Sequence, residues 1–184
     1  MSFITSIKNT IAQYKINKLH KVDRRKSYID WEKTNRVLLL YSMSNLPEAT
    51  SSRIYSELYD ILDNCFDEKM NVRLMVCVTK SSVEQKRFNI TVFDSKTCNF
   101  LRSEPQKDIF DVAEEEQSDV VINLSPTLSY PLEYLAEYSE ARLKISVLKA
   151  GKGAKYDMYF SSESDSVKEV FFFFLYYLKK IKAE

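Results

Sequence analysis

Glycine is almost missing from this chain: Gly151 and Gly153 are the only two in 184 residues. A dinucleotide or P-loop site needs glycines in the turn after the first strand, so that the backbone can approach phosphate. The turn after the first apolar run is Ser42-Met43-Ser44-Asn45, without one. Gly151-Lys152-Gly153 lacks the upstream glycine and the following Ser/Thr of a P-loop, and it precedes a strand pattern; it reads as a turn. Histidine is rarer still. His20 stands alone in the N-terminal segment, which excludes histidine-based triads and histidine-rich metal sites from the rest of the chain. Cys65, Cys77 and Cys98 are odd in number and form no Cys-x-x-Cys pair, so no disulfide framework is expected and the setting reads as reducing and cytoplasmic. Cys65 and Cys77 lie in apolar periodic contexts and read as inert core thiols, whereas Cys98 sits in a polar loop as the one candidate reactive thiol. Long apolar runs are missing too. The longest, Val170 to Leu178, has nine residues against the ~20 of a membrane span. No secretory signal pattern is present.

What the chain does have is an uneven charge. The overall balance is +1, yet residues 1–26 carry seven cations against Asp23 alone, a net of +6, and leave −5 for the rest. This divides the chain into a basic arm, 1–26, and a single α/β domain, 27–184. Within the arm, Phe3, Ile4, Ile7, Ile11, Tyr14 and Leu19 fall on one stripe of an amphipathic helix over 3–22. Three readings stand: a helix packed on the body with a solvated basic face, a helix on an anionic membrane surface, and an RNA-contacting arm. Lys8, Lys15, Lys18, Lys21, Arg24 and Arg25 are its candidate partner-binding residues, for protein, RNA or anionic lipid.

The domain alternates strands and helices. Arg36 to Ser42 is a continuous apolar run suited to a central strand buried on both faces. A helix follows from about 49 to 66, then strands at 72–79 and 88–93 and a short helix around 109–113. Residues 119–147 form the organising unit. Val120 to Leu124 is a β-branched strand ending at Ser125-Pro126, and Ser129 and Pro131 open a helix. Leu143 to Val147 is a strand again. Tyr156 to Phe160 is the last strand, and Ser164 or Asp165 caps a final helix over 166–181. That helix is apolar nearly all round, from Phe171 to Leu178. It requires cover on more than one side, from the N-terminal helix or from a second subunit in a homo-oligomer. Strand–helix–strand units of this kind predict a three-layer Rossmann-like sandwich with a mostly parallel sheet of about six strands; right-handed crossovers and an order such as 3-2-1-4-5-6 follow by general rule, and the residues themselves do not fix the order.

In open α/β sheets ligands bind at the strand C-terminal edge, where the order reverses. That rule selects Ser44, Asn45, Asn123, Ser125 and Thr127 as candidate ligand-binding residues, although Ser, Thr and Asn also close turns and cap helices. No carboxylate pair is arranged for acid/base work. Asp119 and Asp157 open strands and read as binding backbone or solvent. No cofactor or metal is expected, and the balance leans against catalysis.

Several segments resemble a known family. Asp119-Val-Val-Ile-Asn-Leu-Ser125, Tyr130-Pro-Leu-Glu-Tyr-Leu-Ala136, Ala141-Arg-Leu-Lys-Ile-Ser146 and Tyr156-Asp-Met-Tyr-Phe160 are similar to a family of small uncharacterised bacteroidete proteins, a domain of unknown function. The resemblance spans most of the chain and is least clear over 80–115. Ser146 stands where that family commonly has glycine. It implies no activity, cofactor or catalytic residue. A weaker likeness is to the N-terminal Rossmann-like half of heptosyltransferase-type glycosyltransferases, but the sugar-nucleotide domain and the first-loop glycines are missing here. The resulting expectation is a cytoplasmic, non-catalytic binding protein acting through its basic helix, with a small-ligand or enzymatic site at the sheet edge as the alternative.

Overall fold

The strand Arg36–Ser42 (β1) sits at the centre of a six-stranded parallel sheet in a computed structural model that describes residues 3–19, 29–44, 46–66, 68–79, 89–94, 98–99, 104–114, 117–147 and 153–181. The other strands are Asn71–Cys77 (β2), Ile90–Phe93 (β3), Val120–Asn123 (β4), Leu143–Ser146 (β5) and the short Met158–Tyr159 (β6). Their order is β3-β2-β1-β4-β5-β6, the common doubly wound order that the general rule for such folds offers and the residues themselves do not fix. Leu39 of β1 pairs in register with Leu74 of β2 on one side and Ile122 of β4 on the other. With strands on both sides and layers on both faces, β1 has no polar surface to present, which is why its sequence is apolar at consecutive positions.

Successive side chains of a strand enter opposite layers. Val37, Leu39 and Tyr41 of β1 pack with Glu48–Asn64 (α2) and Val167–Leu178 (α5) through Ile54, Leu58, Phe171 and Phe174. Leu38 and Leu40 enter the other layer, with Ile109 of Lys107–Glu114 (α3) and Leu132, Leu135 and Ala136 of Tyr130–Tyr138 (α4). The chain leaves β1 and β4 in opposite directions across the sheet, so right-handed crossovers put α2 and α4 on opposite faces.

The N-terminal helix, Phe3–Leu19 (α1), packs on α4. It uses a different side from the one its spacing indicates. Ile4, Ile7, Ile11 and Tyr14 are exposed (65%, 43%, 36% and 68%), while Ala12 and Ile16 are buried. The helix has two apolar faces, and the inner one is fixed by polar anchors as well as by Ile16. Gln13 Nε2 donates to the Gly153 carbonyl at 3.1 Å, and Gly153 N donates to Gln13 Oε1 at 2.9 Å. Lys15 pairs with Glu104 at 2.7 Å. Burying Ile16 adds on the order of 2 kcal/mol. Covered by the sheet beneath and α1 above, α4 is buried from Pro131 to Glu137.

This placement also corrects the expected cover for the C-terminal helix. α1 lies on the opposite face of the sheet from α5 and does not shield it. Phe172, Phe173, Tyr176 and Tyr177 remain exposed, and Phe160 packs its ring against Phe173, Phe174 and Tyr177. The cap of α5 is Ser166, whose Oγ accepts from Glu169 N, rather than Ser164 or Asp165.

Candidate functional site

The C-terminal ends of β1 and β4 adjoin where the strand order reverses, and the described residues selected there by sequence lie in different surroundings. Asn123 and Ser125 are fully buried. Asn123 points into the α4 layer, because Val120 and Ile122 of the same strand point into the other. Ser125 Oγ accepts from Ser42 N at 2.9 Å, and Ser125 N donates to Asn123 Oδ1 at 3.0 Å. Both side chains thus fasten the tips of β4 and β1. Ser44 is half-buried, its N donating to Ser42 Oγ at 3.4 Å, and Thr127 is exposed. Asn45 lies outside the described residues.

Asn123 belongs to a closed polar network that sequence reasoning missed. Its Nδ2 donates to Glu133 Oε1 at 2.8 Å and to the Tyr156 hydroxyl at 2.9 Å. Glu133 Oε2 accepts from the Tyr156 hydroxyl at 3.0 Å and from Ala154 N at 2.8 Å. Burial pushes the Glu133 carboxyl up to about 7, against the opposing pull of the three donors and with a further push from Glu137. Burial also raises the Tyr156 phenol well above its ordinary value. Gly153, at φ +89°, brings the backbone so close that a Cβ there would stand 2.4 Å from Glu133 Oε2. Through Gly153 the network reaches Gln13 of α1. A carboxylate with every polar neighbour satisfied and no solvent access joins elements; it has no room for a substrate.

The opposite side of the same edge is open. A cavity of about 890 Å³ lies between the start of α2, the start of α5 and the tips of β1 and β4. Leu124, Val147, Val167 and Val170 give it an apolar floor, with Pro126 and Leu128 beside them. Tyr41, Thr50, Arg53 and Ile54 form one wall, and Ser161, Ser162, Ser164 and Asp165 line the rim. Tyr41 is only 2% exposed, and among the described residues its hydroxyl has no hydrogen-bond partner. Burial pushes its phenol to about 12, with Glu57 adding and Arg53 opposing, so it stays protonated and can donate. Arg53 Nη2 donates to the Asp165 carbonyl at 3.4 Å, and Arg53 Nε stands 3.8 Å from Glu57. Glu57 also accepts from the Ser166 hydroxyl at 3.0 Å and from Lys168 N at 3.2 Å. The start of α5 therefore already holds an internal carboxylate, as its dipole favours.

The remaining candidates separate by location. Lys8, Lys15 and Lys18 lie on α1, with Lys15 committed to Glu104; Lys21, Arg24 and Arg25 lie outside the described residues. Cys98, expected in an open loop, is buried, and its Sγ donates to the Asp94 carbonyl at 3.6 Å. Cys77 is buried as expected, its thiol pushed up by desolvation, and Cys65 is the least covered of the three. Asp119 and Asp157 bind backbone as expected: Asp119 Oδ2 accepts from Asn35 N and Arg36 N, both at 3.0 Å, and Asp157 Oδ2 accepts from Lys144 N at 2.9 Å. Among the described residues no group of His, Cys, Asp and Glu is arranged to hold a metal ion, and no helix is long and apolar enough to cross a membrane.

Comparison with known proteins places residues 8–181 in a family of unknown function, DUF6913, and the chain belongs to it. The match ties the chain neither to a bacterial group nor to heptosyltransferases. No curated protein matches the chain.

Proposed function

We propose that this member of the DUF6913 family is a binding protein that takes a small amphipathic molecule into the cleft at the tips of β1 and β4. The observation that carries the reading is the Tyr41 phenol: its ring is buried, its hydroxyl has no hydrogen-bond partner among the described residues, and it lies on the wall of a cavity whose floor is apolar. The cavity volume of about 890 Å³ is within the range of small-molecule sites, and its position is the one doubly wound sheets use. Apolar ligand surface would lie on Leu124, Val147 and Val170, and a polar end would accept from Tyr41 and approach Arg53 and the serine rim. The reading involves binding and orientation only; no residue is assigned a bond-breaking role.

Thermal unfolding against a library of small amphipathic compounds tests it. A ligand at a hundred times its Kd stabilises by about 2.7 kcal/mol, a readily measured shift. Leu128→Trp, which adds bulk to the lining of the cavity at a half-buried position, should fold normally and lose the shift. Equal stabilisation of both proteins, or of neither, would overturn the reading.

A further inference from the structure

The side of α1 facing away from α4 carries an apolar row that stays exposed among the described residues. Ile4, Ile7, Ile11 and Tyr14 follow one another at intervals of three and four along the helix, and all four are exposed. Exposed lone apolar residues are ordinary, but four in a line on one helix are an interaction surface. Lys18 continues the row one turn beyond Tyr14 and is itself exposed. Lys8 lies along its flank, next to Ile7 in sequence. The helix contains no Asp or Glu, and its first turn has no acidic residue to offset the cations.

We propose that this outer face of α1 docks on the surface of an anionic phospholipid bilayer. The apolar row would enter the boundary between headgroups and acyl chains while the exposed Lys18 meets the lipid phosphates. Charge selects this occupant. A second copy of the chain would set one acid-free, lysine-bearing helix against another, and the row is short beside the area that stable protein interfaces bury. RNA would use the lysines and leave the apolar row unused. The inner face, held by Gln13, Ile16 and the Lys15–Glu104 pair, keeps α1 on the body, so the whole domain would be carried to the membrane.

The test is co-sedimentation of the full chain with vesicles of phosphatidylcholine alone and of phosphatidylcholine with phosphatidylglycerol. At low salt at least about tenfold more protein should bind the anionic vesicles, and the excess should fall as the Debye length shrinks from about 30 Å to about 3 Å. The double variant Ile4→Asp with Ile7→Asp should keep its thermal midpoint, because both positions are solvated, and lose about tenfold in binding. Equal binding to neutral vesicles would overturn the proposal, as would no binding to either. Concentration-dependent dimerisation that the same variant abolishes would overturn it in favour of a second copy.

Discussion

Two sides of one sheet edge have opposite fates in this protein. Towards α4, Asn123, Glu133 and Tyr156 satisfy one another completely, and Gly153 closes over them. Towards α2 and α5, one residue along each strand, Tyr41 and Leu124 line open space. The difference is strand parity. Neighbouring residues point to opposite faces, so a polar residue at a strand tip can be a plug or a binding group depending on a shift of one position. Polarity at the C-terminal edge therefore does not by itself mark a ligand site; the accessible side of the edge has to be identified first.

The plugged side should be the sensitive one, and Gly153→Ala the most damaging single change. It forces a left-handed backbone on alanine and drives a Cβ against Glu133, at a cost on the order of 3 kcal/mol in denaturant unfolding. A loss below 0.5 kcal/mol (order-of-magnitude) would mean that the network yields easily and that the two sides differ less than their geometry implies. Glu133→Gln comes next, at about 1–3 kcal/mol, because an amide cannot accept at both oxygen positions and leaves a buried donor without its partner. The same variant carries a pH signature. The folded carboxyl, raised to about 7 from an ordinary 4.5, holds its proton where the unfolded one has released it. Its contribution is therefore fully present at acid pH and is lost as pH rises from about 4.5 to about 7. Unfolding measured across that window should show a downward slope in the parent chain that Glu133→Gln flattens. An unchanged slope would assign the titration to another group.

These expectations show how far the sequence could be read. The parallel α/β class was legible because the apolar runs and the Pro and Ser punctuation mark alternating strands and helices, whereas the strand order follows only from the general rule for doubly wound sheets and not from any residue. The basic helix was legible as a helix, but its inward side was not. Ala12 and Ile16 make a thinner signal than four larger exposed residues, and Gln13 clasping Gly153 is a contact across 140 positions that no local spacing encodes. Glu133 was hidden for a related reason. A glutamate in Tyr130-Pro-Leu-Glu-Tyr-Leu-Ala136 looks like the solvated side of a helix until Asn123, Ala154 and Tyr156 are known to bond it and Gly153 to close over it. Tyr41 could have been found: it is the last residue of the central strand β1 with the parity of Val37 and Leu39, and a phenol there reaches towards the edge.

Tyr41→Phe gives the smallest expected change in stability and bears most directly on the difference between the two sides. Removing a hydroxyl that is hydrogen-bonded in the interior costs about 0.5–1.5 kcal/mol, whereas one with no protein partner leaves little behind when deleted. The phenylalanine ring preserves the packing of Tyr41 against the α2 layer, so the unfolding midpoint should move by less than about 0.5 kcal/mol equivalent. Binding of any cleft ligand that accepts from the phenol should weaken by about 1 kcal/mol or more, roughly fivefold in Kd. A clear loss of stability without ligand would mean that the hydroxyl is held by the protein itself, and the open side would then be as internally satisfied as the closed one. A silent stability measurement joined to a weakened ligand would separate the two sides as binding surface and structural plug.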